Sequence, residues 1–232
     1  MMFTLVTAEY NYGKYLPRLL QGCFDQTDPR WRLIIVDDAS SDVETRYLLR
    51  GLRAERRDRV QVILKKTNTG VCDTLRIGFK AVQTPYCAAI DSDNFLLPRY
   101  VELMLGFMES HPGHVGCTCD FLRYEDMEST GEIIYKRQIT LKDSPKQPPG
   151  TMLATWRTEI ALKSLPKIEL APDFDMVLRG IEHGPMGHVS KALVGWEDHQ
   201  DSRWWQNLEA SKWAAAQAKE EAAKRRRRRK RR

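Results

Sequence analysis

With 232 residues, 42% hydrophobic and 29% charged, the chain is long enough to bury one full core, and no apolar run approaches the roughly 18 residues that a membrane-spanning helix needs. Its net charge of +6 is unevenly placed: nine consecutive basic residues, Lys224 to Arg232, hold the whole positive excess, while the rest carries 28 Lys and Arg against 31 Asp and Glu. The mildly acidic body gives no support to a nucleic-acid-binding fold; the tail, expected to be disordered when alone, is the element suited to a polyanion or an anionic membrane surface.

Met2 to Thr7 is too short for a signal peptide and lacks its basic start. The five cysteines read as reduced thiols of a cytosolic protein, and Cys117-Thr118-Cys119 has no partner pair for a zinc site. Phe3 to Ala8 is a short β-type run, followed by a turn over Glu9 to Gly13. Between Lys14 and Phe24 apolar residues return every three or four positions, which predicts a helix with one buried face. Trp31 to Val36 is the next strand, and Ser41 or Asp42 can cap the helix carrying Tyr47, Leu48 and Leu52. Val60 to Leu64 is a third strand, and Leu75, Phe79 and Val82 mark a helix to about Gln83. Strand and helix alternate, so the fold class is α/β, with a mostly parallel sheet and right-handed crossovers.

Tyr86 to Ile90 is a fourth strand, and it ends on Asp91-Ser92-Asp93-Asn94. Alternation along an extended backbone puts Asp91 and Asp93 on one side, where two carboxylates can hold a divalent cation against phosphate oxygens. Ordinary strand-end and turn acids are the plainer account of the same pair. A helix over Arg99 to Glu109 follows, then a His111 to His114 turn, a strand over Val115 to Tyr124 and a hairpin turning near Gly131. Thr140 to Gly150, with three prolines, is expected to be a lid or acceptor-side loop. Thr151 to Thr155 reads as a short strand, Thr158 to Leu165 and Asp173 to Glu182 as helices, and 188 to 196 as extended chain. From Ser202 or Arg203 the chain reads as helical. The expected organisation is a body over 1–203, a helix over 204–223 and the basic tail over 224–232.

Taken together, Val6-Thr7-Ala8-Glu9-Tyr10-Asn11, Gln26-Thr27, Ile35 to Asp42, Asn68-Thr69-Gly70, Asp91 to Asn94, Asp173 to Arg179 and His199 to Ser202 carry a resemblance. Over roughly residues 3 to 203 the chain resembles the inverting nucleotide-sugar glycosyltransferases of family 2, which have the GT-A fold. The spacing in the first half is similar to members acting in bacterial spore-coat polysaccharide synthesis. The resemblance implies a Rossmann-like central sheet with a small antiparallel element on the acceptor side, a UDP-linked donor, and manganese or magnesium.

It also implies roles. Tyr10 stacks on the nucleobase and Asp38 pairs with its ring, beside Ala8. Asp37 supports that loop or contacts ribose, and Asn68 and Gly70 shape the wall. Asp91 and Ser92 contact the nucleotide, Asp93 is the direct metal ligand, and His199 completes the metal or diphosphate environment. Asp173 is the general base, with Asp175, Trp156 and Arg179 on the supporting or acceptor side. For Asp37 and Asp38 the alternative is capping of the next helix; for Gly70, backbone conformation; for His199, packing.

Two departures stand out: Pro172 precedes the base where relatives have an acid, and Ala8-Glu9 stands where many have Pro and a small polar residue. Glu9 near a diphosphate is unfavourable unless it points away or meets a sugar hydroxyl. The sugar stays open among glucose, galactose, N-acetylhexosamine and rhamnose. The acceptor hydroxyl stays open among saccharide, lipid-linked saccharide, peptide and modified nucleic acid. A sugar-phosphate nucleotidyltransferase shares the fold class and the paired acids, but the chain lacks a Gly-rich, basic opening loop for a triphosphate. A non-catalytic protein that binds nucleotide sugar and is anchored by its tail is the other alternative. A cytoplasmic enzyme, peripheral at the inner face of a membrane, fits the composition.

Overall fold

A computed structural model describes residues 1–55, 58–134, 154–202 and 206–230. The Thr140 to Gly150 loop, Trp204, Trp205 and the last two arginines of the tail lie outside the described residues.

Three β-α units open the chain: β1 (Phe3–Glu9) and α1 (Leu16–Phe24), β2 (Trp31–Asp37) and α2 (Val43–Ala54), β3 (Val60–Leu64) and α3 (Val71–Lys80). They lead into β4 (Tyr86–Ala89), and the four strands run parallel in the order β3-β2-β1-β4. Side chains alternate across the sheet. Phe3, Leu5, Leu33 and Ile35 enter one core with α1 and α2, whereas Val6, Ile34 and Val36 enter a second core against α3. With both faces buried, β1 and β2 need the near-continuous apolar runs they have.

The chain goes outward from β1 to β3 and then returns to β4 on the other side of β1. That reversal opens a crevice at the carboxyl ends of β1 and β4, the place where such sheets hold ligands. The rest of the sheet is mixed. β5 (Phe95–Leu96), β6 (Gly116–Glu125), β7 (Glu128–Ile134), β8 (Thr155–Arg157) and β9 (Met186–Glu197) extend the order as β4-β8-β6-β9-β5, with β7 paired to β6. Strands β8, β7 and β5 are antiparallel to their neighbours, and β6 and β9 are parallel. The helices α4 (Tyr100–Ser110), α5 (Thr158–Lys163), α6 (Pro172–Gly180) and α7 (Leu208–Lys230) complete the layers. This is the expected α/β architecture.

Several local expectations change. The hairpin turns at Asp126-Met127, both at positive φ, because a two-residue turn with left-handed backbone matches the twist of the flanking strands. Gly131 lies inside β7 instead, also at positive φ. The short strand before α5 is Thr155–Arg157, the extended segment is a twelve-residue β9, and α6 starts one residue early, with Pro172 in its first turn. Asp42, not Ser41, caps α2 through the Thr45 amide at 2.7 Å. Gln26 is a structural link: its amide donates to the Gly22 and Leu97 carbonyls, and its carbonyl accepts from the Val101 amide at the start of α4.

Residues 224–230 continue α7, where cations suit the carbonyl end of a helix, and Arg225 and Arg229 reach Glu182. The docked face of α7 is Ser211, Ala214, Ala215, Ala218 and Ala222, set against α6. Four buried methyls at about 0.8 kcal/mol each give on the order of 3 kcal/mol. Close approach and the Glu182 pairs therefore matter as much to α7 as apolar bulk. No helix among the described residues is long and apolar enough to cross a membrane.

Candidate functional site

The crevice at the β1/β4 reversal opens into a cleft of about 760 Å³. Ala8, Tyr10, Asp38, Asn68, Gly70, Asp91, Ser92, Asp93 and Asp173 all line it, so most of the residues picked out by sequence converge although they are scattered over more than 160 positions. Asp37, His199, Asp175, Trp156 and Arg179 stand off the lining, each for a reason.

The end of the cleft at Tyr10 and Asp38 is built by loops that tie one another down. Asn11, at φ 60°, accepts from the Ser41 and Asp42 amides at 2.9 and 3.0 Å, joining the turn after β1 to the loop after β2. Asp37 Oδ1 accepts from the Ser40 amide and hydroxyl and so shapes that loop from behind. Neither Asp37 nor Asp38 caps α2, since Asp42 does.

Asp38 is buried. Its carboxylate accepts from the Thr69 and Gly70 amides, both at 2.9 Å, and from Lys65 Nζ at 2.6 Å. Lys65 also donates to Thr69 and Thr74. A buried carboxylate without such a partner would be strongly destabilising, by about 3–5 kcal/mol in comparable pairs, so Lys65 is part of what makes Asp38 tolerable here. Gly70 sits at φ +90°, and a Cβ there would come within 2.7 Å of the Glu169 carboxylate. The positive φ calls for glycine, and the Glu169 carboxylate would have to move aside for any Cβ.

At the opposite end, β4 stops at Ala89, and Ser92-Asp93 form a turn closed by the Asn94 amide donating to the Asp91 carbonyl. Strand alternation therefore does not set the two carboxylates; the turn brings both to the cleft. Asp93 Oδ2 lies 3.2 Å from His199 Nε2. His199 is held by aromatic neighbours, Tyr15 at 4.8 Å and Tyr12 at 5.9 Å between ring centres, and the Tyr12 hydroxyl donates to the Asp201 carbonyl.

Asp93 Oδ1 and His199 Nδ1 are buried with no hydrogen-bond partner among the described residues. Of the atoms here, Asp93 Oδ1 together with the His199 Nε2 that faces Asp93 fits a hard divalent cation taking its remaining ligands from substrate phosphate and water; His199 Nδ1 lies on the far side of the ring and cannot share that ion. No group of three or more His, Cys, Asp or Glu gathers as a metal cage among the described residues. Asp93 and His199 are the residues that would hold such a cation, and it would supply charge to offset a leaving diphosphate.

The acceptor-side set separates. Asp173, in the first turn of α6, lines the cleft. Asp175 is fully buried and turned away, with Oδ2 accepting from the Lys167 amide at 2.8 Å and from Arg179 Nε at 2.9 Å. Arg179 thus serves Asp175 rather than the cleft. Trp156 is a core residue beneath Gly180, where a Cβ would fall 2.2 Å from its ring. Aromatic bulk at this position fills the core between β8 and α6.

With this geometry in view, the comparisons are direct. The glycosyl transferase family 2 model matches residues 4–157, about two thirds of the chain. The chain belongs to glycosyl transferase family 2. It is 25% identical over 206 residues to a Bacillus subtilis protein named as the glycosyltransferase EpsE, covering 86% of this chain and 74% of EpsE. It is 30% identical over 131 residues to TuaG of the same organism, named for teichuronic acid biosynthesis, covering 56% of this chain and 49% of TuaG. The S. aureus TarS 1–349 structure with UDP-GlcNAc superposes with a TM-score of 0.73 at 19% identity, covering 87% of this chain and 60% of that one. The chain thus spans about three quarters of one relative and half of the other.

Within this family 2 domain, sequence reasoning missed Lys65, Tyr15 and the α7 wall formed by Ser211 and Ala215. Lys65 carried a usable signal: a lysine just after β3 faces the loop whose Asp38 must be neutralised. Ser211 and Ala215 carried none, since small residues on a helix mark close packing of any kind.

Proposed function

We propose that the chain is a metal-dependent inverting glycosyltransferase that moves a sugar from a UDP-linked donor to the hydroxyl of a saccharide acceptor. The observation that carries this is the convergence, in one cleft, of a nucleobase end at Tyr10 and Asp38, an acidic turn at Asp91-Ser92-Asp93, and a carboxylate at Asp173. Inversion needs a base on the acceptor face, opposite the leaving group. Asp173 has the exposure for that work, while Asp175 is committed to Arg179. Manganese or magnesium at Asp93 and His199 would offset charge on the departing diphosphate.

The donor assignment draws support from structural neighbours described with UDP and UDP-GlcNAc. The saccharide acceptor draws support from relatives named for teichuronic acid biosynthesis and as chondroitin synthase, the latter in Escherichia coli. The sequence likeness to the spore-coat polysaccharide branch points the same way. Peripheral attachment to an anionic membrane face through the basic end of α7 belongs to the same proposal. A panel of nucleotide sugars with Mn²⁺ or Mg²⁺ tests it: one donor should bind and release its nucleoside diphosphate, and binding of none would sink the proposal.

A further inference from the structure

Glu9 ends β1, opposite Asp37 at the end of β2, and lines the cleft beside Ser92 and Asp93 while only 1% exposed. Its Oε1 accepts from the Tyr12 amide at 2.6 Å and so closes the turn after β1. Its Oε2 is buried and makes no well-formed hydrogen bond among the described residues, with the Ser92 hydroxyl lying beside the carboxyl group. A turn of this kind needs one acceptor, which Asn, Ser or Thr supplies without bringing a charge into the interior. A carboxyl group with half its capacity unmet is the costlier choice. Burial, with Asp37 and Asp93 nearby, raises its pKa to about 7 despite the Ser92 hydroxyl and the Tyr12 amide.

On the donor reading above, we infer that Glu9 is a donor-recognition residue whose Oε2 accepts a hydrogen bond from a hydroxyl of the bound nucleotide sugar. Oε2 accepts as a carboxylate and donates as the protonated acid; a hydroxyl can answer it in both states, whereas a phosphate oxygen can answer only the second and would bring its charge against Asp93. A nucleobase N–H belongs to the Asp38 end of the cleft. A cation is disfavoured because Glu9 does not group with Asp93 and His199 into a three-ligand set. A hydroxyl remains, from the ribose or from the transferred sugar, and neither brings negative charge against Asp93.

The test is equilibrium binding of UDP, 2′-deoxy-UDP, 3′-deoxy-UDP and UDP-GlcNAc, with Mn²⁺ present, to wild type, Glu9→Gln and Glu9→Ala, each checked for native circular dichroism. If the partner is a ribose hydroxyl, wild type should prefer UDP over one deoxy analogue by about tenfold or more, and Glu9→Ala should erase that preference. If it is a sugar hydroxyl, Glu9→Ala should weaken UDP-GlcNAc by a similar factor and leave UDP unchanged. Glu9→Gln keeps the Tyr12 contact through its amide oxygen, so a folded Gln variant carries the test should the Ala variant unfold. Equal weakening of all four ligands, or no change in any, overturns the inference while leaving the enzyme reading intact. Failure of wild type to bind either UDP or UDP-GlcNAc removes the donor reading and the inference together.

Discussion

The two walls of the cleft are made differently. On the wall that carries Tyr10 and Asp38, three carboxylates are held by named hydrogen bonds: Asp37 by Ser40, Asp38 by Lys65 and two amides, Glu9 by the Tyr12 amide. On the α6/α7 wall, Asp173 apart, the lining is mainly small and apolar, with Ala171, Met176, Ser211 and Ala215 seated by packing. A hydrogen-bonded wall fixes atoms to within tenths of an ångström and tolerates few residue types, whereas a packed wall fixes a volume and accepts many. The first should be brittle and selective, and the second adjustable.

Asp93→Ala should show the largest effect, loss of turnover to background. Cation-dependent binding of the nucleoside diphosphate should weaken, while metal-independent contacts at Tyr10 and Asp38 persist; unchanged rate and metal response would remove Asp93 from the site. Asp173→Asn should keep donor binding and lose about 10²- to 10⁴-fold in transfer, as removal of a general base does. Transfer at the normal rate would move that role elsewhere, with Asp175 the first residue to examine.

Lys65→Met probes the brittleness of the hydrogen-bonded wall. Leaving Asp38 buried without its cation should cost about 3–5 kcal/mol of unfolding free energy in denaturant titration. An effect below about 1 kcal/mol would mean that the two backbone amides suffice.

Glu9→Gln should alter how stability depends on pH. The folded protein holds the Glu9 proton up to about pH 7, against an ordinary value of 4.5, so the unfolded state loses that proton first as pH rises. Wild type should therefore lose stability relative to Glu9→Gln between about pH 4.5 and 7, by up to about 3 kcal/mol, and the gap should level off above. Parallel stability curves for the two proteins would contradict the buried placement of the carboxyl.

The smallest effect belongs to the packed wall. Ala215→Leu should cost about 1–3 kcal/mol through overpacking and leave UDP affinity within about threefold of wild type. Its effect on acceptor KM should exceed its effect on donor binding, and the reverse would assign this wall to the donor.

The same contrast explains what was legible in the sequence. The parallel half could be read because apolar runs ending in Asp37-Asp38 and Asp91-Ser92-Asp93 combine a strand signal with residue types that the chemistry demands. The paired acids do meet in the cleft, but a turn rather than strand alternation presents them. Beyond residue 158, Asp173 was legible through its motif alone. Trp156 and Arg179 look equally functional in sequence, yet they fill a core and steady Asp175. The difference lies in burial partners from distant strands, which no local spacing encodes.

The clasp between Glu182 and Arg225 and Arg229 changes what the polybasic run offers to a passing polyanion. Lys224 is paired with Glu220 and Glu221, so within the described part of the run Arg227 and Arg228 remain as the exposed guanidinium groups with no salt bridge in the structure. Adjacent on a helix, they diverge by about 100° and cannot track successive phosphates as an extended arm would. A nine-charge coil would lose affinity with roughly the eighth power of salt concentration on a duplex, and each guanidinium held at Glu182 lowers that exponent by about one. The ionic-strength dependence of any surface binding therefore reports whether the end of α7 stays wound against Glu182 or unravels to engage its target.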